Sequence, residues 1–104
     1  MGSRIVRADL LAGAERAVNG DRDADYGDPV RDFERQAAMI QAYLEGVVEH
    51  RGELRIDPVD VAAIMVIVKT SRLVTNPAKK DSWLDIAGYA ACGWDCAVDA
   101  QETQ

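Results

Sequence analysis

Apolar residues recur along this chain at spacings of three and four in four successive stretches, and nowhere at the alternate-residue spacing of a half-buried strand. The pattern predicts four helices. The first spans Ser3 to Asn19, with Ile5, Val6, Leu10, Leu11, Ala14, Ala17 and Val18 in phase and Gly20 as its stop. The second opens at Asp28-Pro29, a capping residue followed by a proline that suits the first helical turn, and runs to about His50. Its expected buried stripe is Phe33, Ala37, Ile40, Leu44 and Val47 or Val48. The third opens the same way at Asp57-Pro58 and ends near Thr75, and the fourth begins at Asn76-Pro77 or at Asp81 and reaches about Ala100.

The third helix is the outlier. Val61 to Val68 contains no polar residue, so at about 100° per residue it is apolar on every side, as a central helix is. Ile64, Val66 and Ile67 are therefore expected to be almost fully buried. The fourth helix is amphipathic, with Trp83, Leu84, Ile86, Ala87, Ala90, Ala91, Trp94 and Val98 on its apolar face. On its other face, Gly88, Tyr89 and Cys92 are too small and too apolar for an ordinary solvated surface. Another helix, a ligand or a second subunit is expected against that strip, and homo-oligomerisation through it follows.

The length of 104 residues suits one all-α domain over residues 1–104, with a core of about 3–100, and leaves too little chain for two cores. A net charge of −6 opposes attraction to nucleic acid or to an anionic membrane. No apolar stretch reaches the length of a membrane span or a signal peptide, so a cytoplasmic location is expected. Cys92 and Cys96, four apart on a helix, match neither a redox pair nor a zinc site and read as small packing residues.

Three groups of residues carry candidate chemistry. The loop Asp21 to Pro29 offers Arg22 for phosphate, Tyr26 for stacking on a base, Gly27 for flexibility, and the unpaired N–H groups of a helix start. A tight turn with a capping Asp accounts for the same residues without any ligand. Lys69 and Arg72, three apart at the end of the third helix, suit either an anion or the helix dipole. Asp81 and Asp85, four apart, repel each other unless a cation lies between them, which Mg²⁺, Lys69 or Arg72 would supply. Asp57 and Asp60 fit helix capping. His50, the single histidine, marks a helix end, and no nucleophilic triad, phosphate-binding loop or dinucleotide fingerprint is present.

The combination Arg22…Tyr26-Gly27, Phe33, Asp60-Val61-Ala62…Lys69…Arg72-Leu73 and Asp81-Ser82…Asp85-Ile86-Ala87-Gly88-Tyr89-Ala90 resembles a bacteriophage and prophage protein family of unknown function over about residues 5 to 98. It is also similar to nucleotide modification associated domain 1. More distantly, two acidic helices about twenty residues apart resemble the MazG-like all-α nucleoside triphosphate pyrophosphohydrolases, Asp57 and Asp60 matching the first motif and Asp81 and Asp85 the second. The resemblance implies a compact four-helix domain of MazG-like arrangement, working in the cytoplasm of an infected or lysogenic bacterial host. Its implied ligand is a nucleotide or nucleotide-derived phosphate, with Arg22, Lys69 and Arg72 on phosphate and Tyr26 or Tyr89 on the base. An Mg²⁺-dependent pyrophosphohydrolase, with Asp60, Asp81 and Asp85 holding the metal, is the enzymatic alternative. A phage sponge for a host immune nucleotide and a structural or protein-interaction module are the others.

Overall fold

A computed structural model describes residues 3–20 and 27–102 and contains four helices and no strand among them. They are α1 (Ser3–Asn19), α2 (Pro29–Arg51), α3 (Pro58–Arg72) and α4 (Lys80–Glu102). The Asp-Pro pairs start α2 and α3 as their chemistry dictates, and Asp28 Oδ1 accepts from Val30 N–H at 3.1 Å. Gly52, at φ +82°, closes α2 by donating its N–H to the Val48 carbonyl at 2.8 Å. Helix α3 stops at Arg72, three residues before the expected end, in turns through Thr75. Helix α4 starts at Lys80, between the two expected starts, where the Trp83 indole N–H reaches the Pro77 carbonyl at 2.8 Å.

Helices α2, α3 and α4 form a flat antiparallel layer with α3 in the middle. Tyr43 and Arg51 of α2 reach Asp60, while at the other end Gly27 lies against Thr75, so α2 and α3 run in opposite directions. On α4, Asp85 pairs with Lys69, and a Cβ on Gly93 would come within 3.0 Å of the Ala62 methyl. Glycine at 93 lets the two backbones approach closely. Around α3, Ala62 follows Asp60 by roughly 200° at 3.6 residues per turn, which places α2 and α4 on opposite sides.

A three-helix layer has two open faces, and among the described residues no further helix packs extensively on either. The run Val61 to Val68 is half-buried or exposed, not enclosed. Ile64, Val66 and Ile67 are half-buried, which corrects the expectation that they are almost fully buried. A helix that is apolar all round needs neighbours on four sides, and the described helices supply two.

The stripe assigned to α2 is also rotated from its expected place. Val47 is its only buried apolar residue, Phe33, Ala37 and Val48 are exposed, and the buried positions toward α3 include Asp32 and Gln36. The face of α4 carrying Trp83, Leu84 and Trp94 is likewise exposed, because Ser82, Asp85, Tyr89 and Gly93 turn toward α3.

Helix α1 makes no extensive contact with the other three, and Val6, Leu10, Leu11 and Val18 stand in solvent. The chain is accordingly open where a compact domain was expected. Its radius of gyration is 17.3 Å, against about 13 Å for a compact domain of this length.

Candidate functional site: two polar ends of one helix

At the N-terminal end of α3 the buried group is Asp60, with no exposed surface. Its Oδ1 accepts the Tyr43 hydroxyl at 2.5 Å and Arg51 Nη2 at 2.9 Å. Its Oδ2 accepts Arg51 Nη1 at 2.7 Å and the Asp57 N–H at 2.8 Å. Such a two-pronged guanidinium–carboxylate pair, closed by a phenol and a backbone donor, satisfies the charge it buries. The Arg51 hydrogen bonds hold the Asp60 carboxyl well below the usual carboxylate range, against the opposing effect of burial. Burial and then the bond to Asp60 push the Tyr43 phenol up. Arg51 also donates to the Arg55 carbonyl at 2.9 Å, which ties the α2–α3 loop to the same cluster.

At the C-terminal end of α3 a second polar layer is built from three helices. The antiparallel registers bring Asp32 and Gln36 of α2, and Ser82 of α4, to the level of Ser71 and Arg72. Asp32 and Ser71 are each 1% exposed, and Gln36 and Ser82 are also buried. Ser71 Oγ donates to the Val68 carbonyl at 2.8 Å. Arg72 Nε is buried at this level. The Gln36 Nε2 amide is buried in the same layer and meets no acceptor among the described residues. A donor left unpaired in this way costs about 1–3 kcal/mol.

Several candidates from the sequence gather near this end. Lys69 Nζ is 2.9 Å from Asp85 Oδ2, so Asp85 has its cation from α3. Asp81 lies on the exposed first turn of α4. Tyr89 and Asp85 line a shallow hollow of about 200 Å³ with Leu84, Gly88 and Cys92, smaller than the ~300 Å³ at which small-molecule pockets begin. Gly27 takes φ +78°, and a Cβ there would meet Thr75 Cγ2 at 3.0 Å, so its glycine is required by the backbone itself. Arg22 and Tyr26 lie outside the described residues.

The carboxylates expected to hold Mg²⁺ are not brought together. Asp60 is occupied by Arg51 and Tyr43, Asp85 by Lys69, and no group of three potential metal ligands forms among the described residues. This donor set, as arranged, does not fit Mg²⁺.

Sequence reasoning missed Asp32, Gln36, Tyr43 and Arg51. A signal for the first two existed in their four-residue spacing, one position out of phase with the apolar stripe. Nothing local announces Arg51, which reads as a helix-end cation.

The chain belongs to the family described as a domain of unknown function, DUF6378, which matches residues 9–97. It is similar to the Gene 55 protein of Mycobacterium phage L5, with 40% identity over 81 residues, or 78% of this chain and 47% of that protein. It is also similar to the Gene 55 protein of Mycobacterium phage D29, with 34% identity over 83 residues, or 80% of this chain and 50% of that one. The chain thus spans about half the length of the curated relatives it matches, and these are bacteriophage proteins. No solved structure matches it. Among the described residues no helix is long and apolar enough to cross a membrane.

Proposed function

We propose that this domain binds a nucleotide or nucleotide-derived phosphate ligand at the polar end of the layer, where α2 begins, α3 ends and α4 begins. The observation that carries the reading is the unfilled Gln36 amide, buried in a layer that also holds Asp32, Ser71 and Arg72. Interiors rarely leave a buried amide donor without an acceptor, and a ligand oxygen would complete it. Arg72 supplies positive charge at the same level, with Lys69, paired to Asp85, a turn away, and Gly27, which follows Arg22 and Tyr26 in the sequence, lies beside Thr75. The chemistry this reading calls on is recognition: guanidinium on phosphate, amide on a polar edge, and an aromatic ring for a base.

Isothermal titration calorimetry with a panel of nucleoside mono-, di- and triphosphates, with and without Mg²⁺, tests the reading. An Arg72→Lys variant keeps the charge but loses the planar fork, so affinity is expected to fall at least about tenfold, on the order of 1.4 kcal/mol. Equal affinity for the two proteins returns Arg72 to the role of a helix-end charge. Product analysis of the same mixtures separates the variants of the proposal. Pyrophosphate release identifies a MazG-like hydrolase, and tight binding without turnover identifies a sponge.

A further inference from the structure

Helix α4 carries a second pattern that its contact with α3 does not use. Ser82, Asp85, Tyr89 and Gly93 turn toward α3, and about 120° round the helix from them Trp83, Ala87, Ala90 and Trp94 fall within about 60° of one another. All four are exposed, Trp83 by 54% and Trp94 by 68%. Their successive spacings of four, three and four are those of a seam along which two helices pair. Between the two tryptophans the only charge is Asp85, which lies off the strip and is paired with Lys69. The strip also reads the same in both directions, as Trp-Ala-Ala-Trp about a midpoint between Gly88 and Tyr89. Charges gather at its ends: Lys80 a turn before Trp83, and Asp95, Asp99 and Glu102 from Trp94 onward, all of them exposed. Exposed Asp81 and Asp99 lie on the far side of the helix from the strip.

We propose that this strip is the seat of the same strip from a second copy of the chain, the two α4 helices packed antiparallel about a two-fold axis at the level of Gly88 and Tyr89. The palindrome argues for a copy. A two-fold interface must be complementary to itself, and here the axis sets Trp83 of one copy beside Trp94 of the other and Ala87 beside Ala90. Alanine against alanine lets the helix axes approach to about 8 Å, the near end of the packing range. At each end two indoles then bury apolar surface against one another. The charges select the same direction. Helix α4 has Lys80 at its start, and Asp99 and Glu102 near its end with no basic residue in the last turn, so apart from Asp81 its ends are charged against its own dipole. An antiparallel neighbour sets the lysine end of one copy beside the acidic end of the other, at the level of Asp95, whereas a parallel one sets acid beside acid. The proposal does not rest on the ligand reading, and either stands if the other fails.

Trp83 and Trp94 are the two tryptophans of the chain, so its indole fluorescence reports on this strip. Sedimentation velocity and tryptophan emission, followed together from about 1 to 200 µM, decide the proposal. The native chain should pass from monomer to dimer, with its emission moving to shorter wavelength as the indoles leave water. Trp94→Glu should stay monomeric over the same range, with unchanged helix content by circular dichroism. Trp83 is the poorer choice for substitution, because its N–H also holds the Pro77 carbonyl. Charge reversal tests the direction of pairing. Lys80→Glu and Asp95→Lys should each weaken the dimer at least about fivefold, since two equivalent contacts turn from attraction to repulsion, and the double variant should recover the native affinity. If Trp94→Glu unfolds, the charge-reversal set decides alone. A native chain that is monomeric throughout, as when α1 or another protein covers the strip, overturns the proposal. So does a dimer that persists in folded Trp94→Glu, and so do single reversals that leave the affinity unchanged.

Discussion

The two ends of α3 bury polar groups in opposite ways. At Asp60 every charge and lone pair has a partner supplied by α2 or by the helix start, and the cluster closes on itself. At Ser71 and Arg72 the layer contains a Gln36 amide that the described residues do not satisfy. A closed network fixes the register of two helices, whereas an unfilled donor costs stability that only a further partner recovers. The contrast separates a clamp from a binding end on one helix, and it can be broken at either end.

The largest effect is expected at the clamp. Asp60→Ala leaves Arg51 and Tyr43 facing an empty acceptor, and breaking a buried pair from one side costs about 3–5 kcal/mol. Urea denaturation should show the loss in the midpoint. A change under about 1 kcal/mol would reduce the cluster to an exposed ion pair.

Acid should open the same clamp with a smaller effect. The Asp60 carboxyl titrates lower in the folded chain than in the unfolded one, so its contribution is complete above the ordinary carboxylate value of about 4 and is lost as pH falls below it. The stability difference between the native chain and Asp60→Asn should therefore shrink from pH 6 towards pH 2. A difference constant across that range would contradict the assignment. Tyr43, shifted upward, contributes with the opposite sign: its share is complete below about pH 10 and fades at more alkaline pH.

How much of this was legible in the sequence depended on whether the signal was local. Asp28-Pro29 and Asp57-Pro58 start helices through their own backbone chemistry, and both starts appear where they were read. The phase of α2 was not local. Phe33, Ala37, Leu44 and Val48 form the more obvious stripe, yet Asp32, Gln36, Tyr43 and Val47 face α3, because the pairing of Arg51 and Tyr43 with Asp60 sets the rotation. The apolar run of α3 did announce a helix that wants cover on all sides, but it could not say that the described helices provide only two of them. For the site, Lys69 and Asp85 were read as a possible pair and are one. Arg72 was singled out as a cation, whereas Gln36 acquires meaning only when three helices bury it.

The account turns on Gln36, and the calorimetric affinity of Gln36→Leu for the nucleotide panel, measured beside its unfolding free energy, tests it most directly. Leucine fills similar space and removes the unpaired amide, so the free chain should be as stable as the native one or more so. Nucleotide affinity should fall at least about tenfold, or 1.4 kcal/mol. A variant that loses stability and binds as tightly as the native chain would show that Gln36 belongs to the scaffold and that the polar end of α3 is a second clamp.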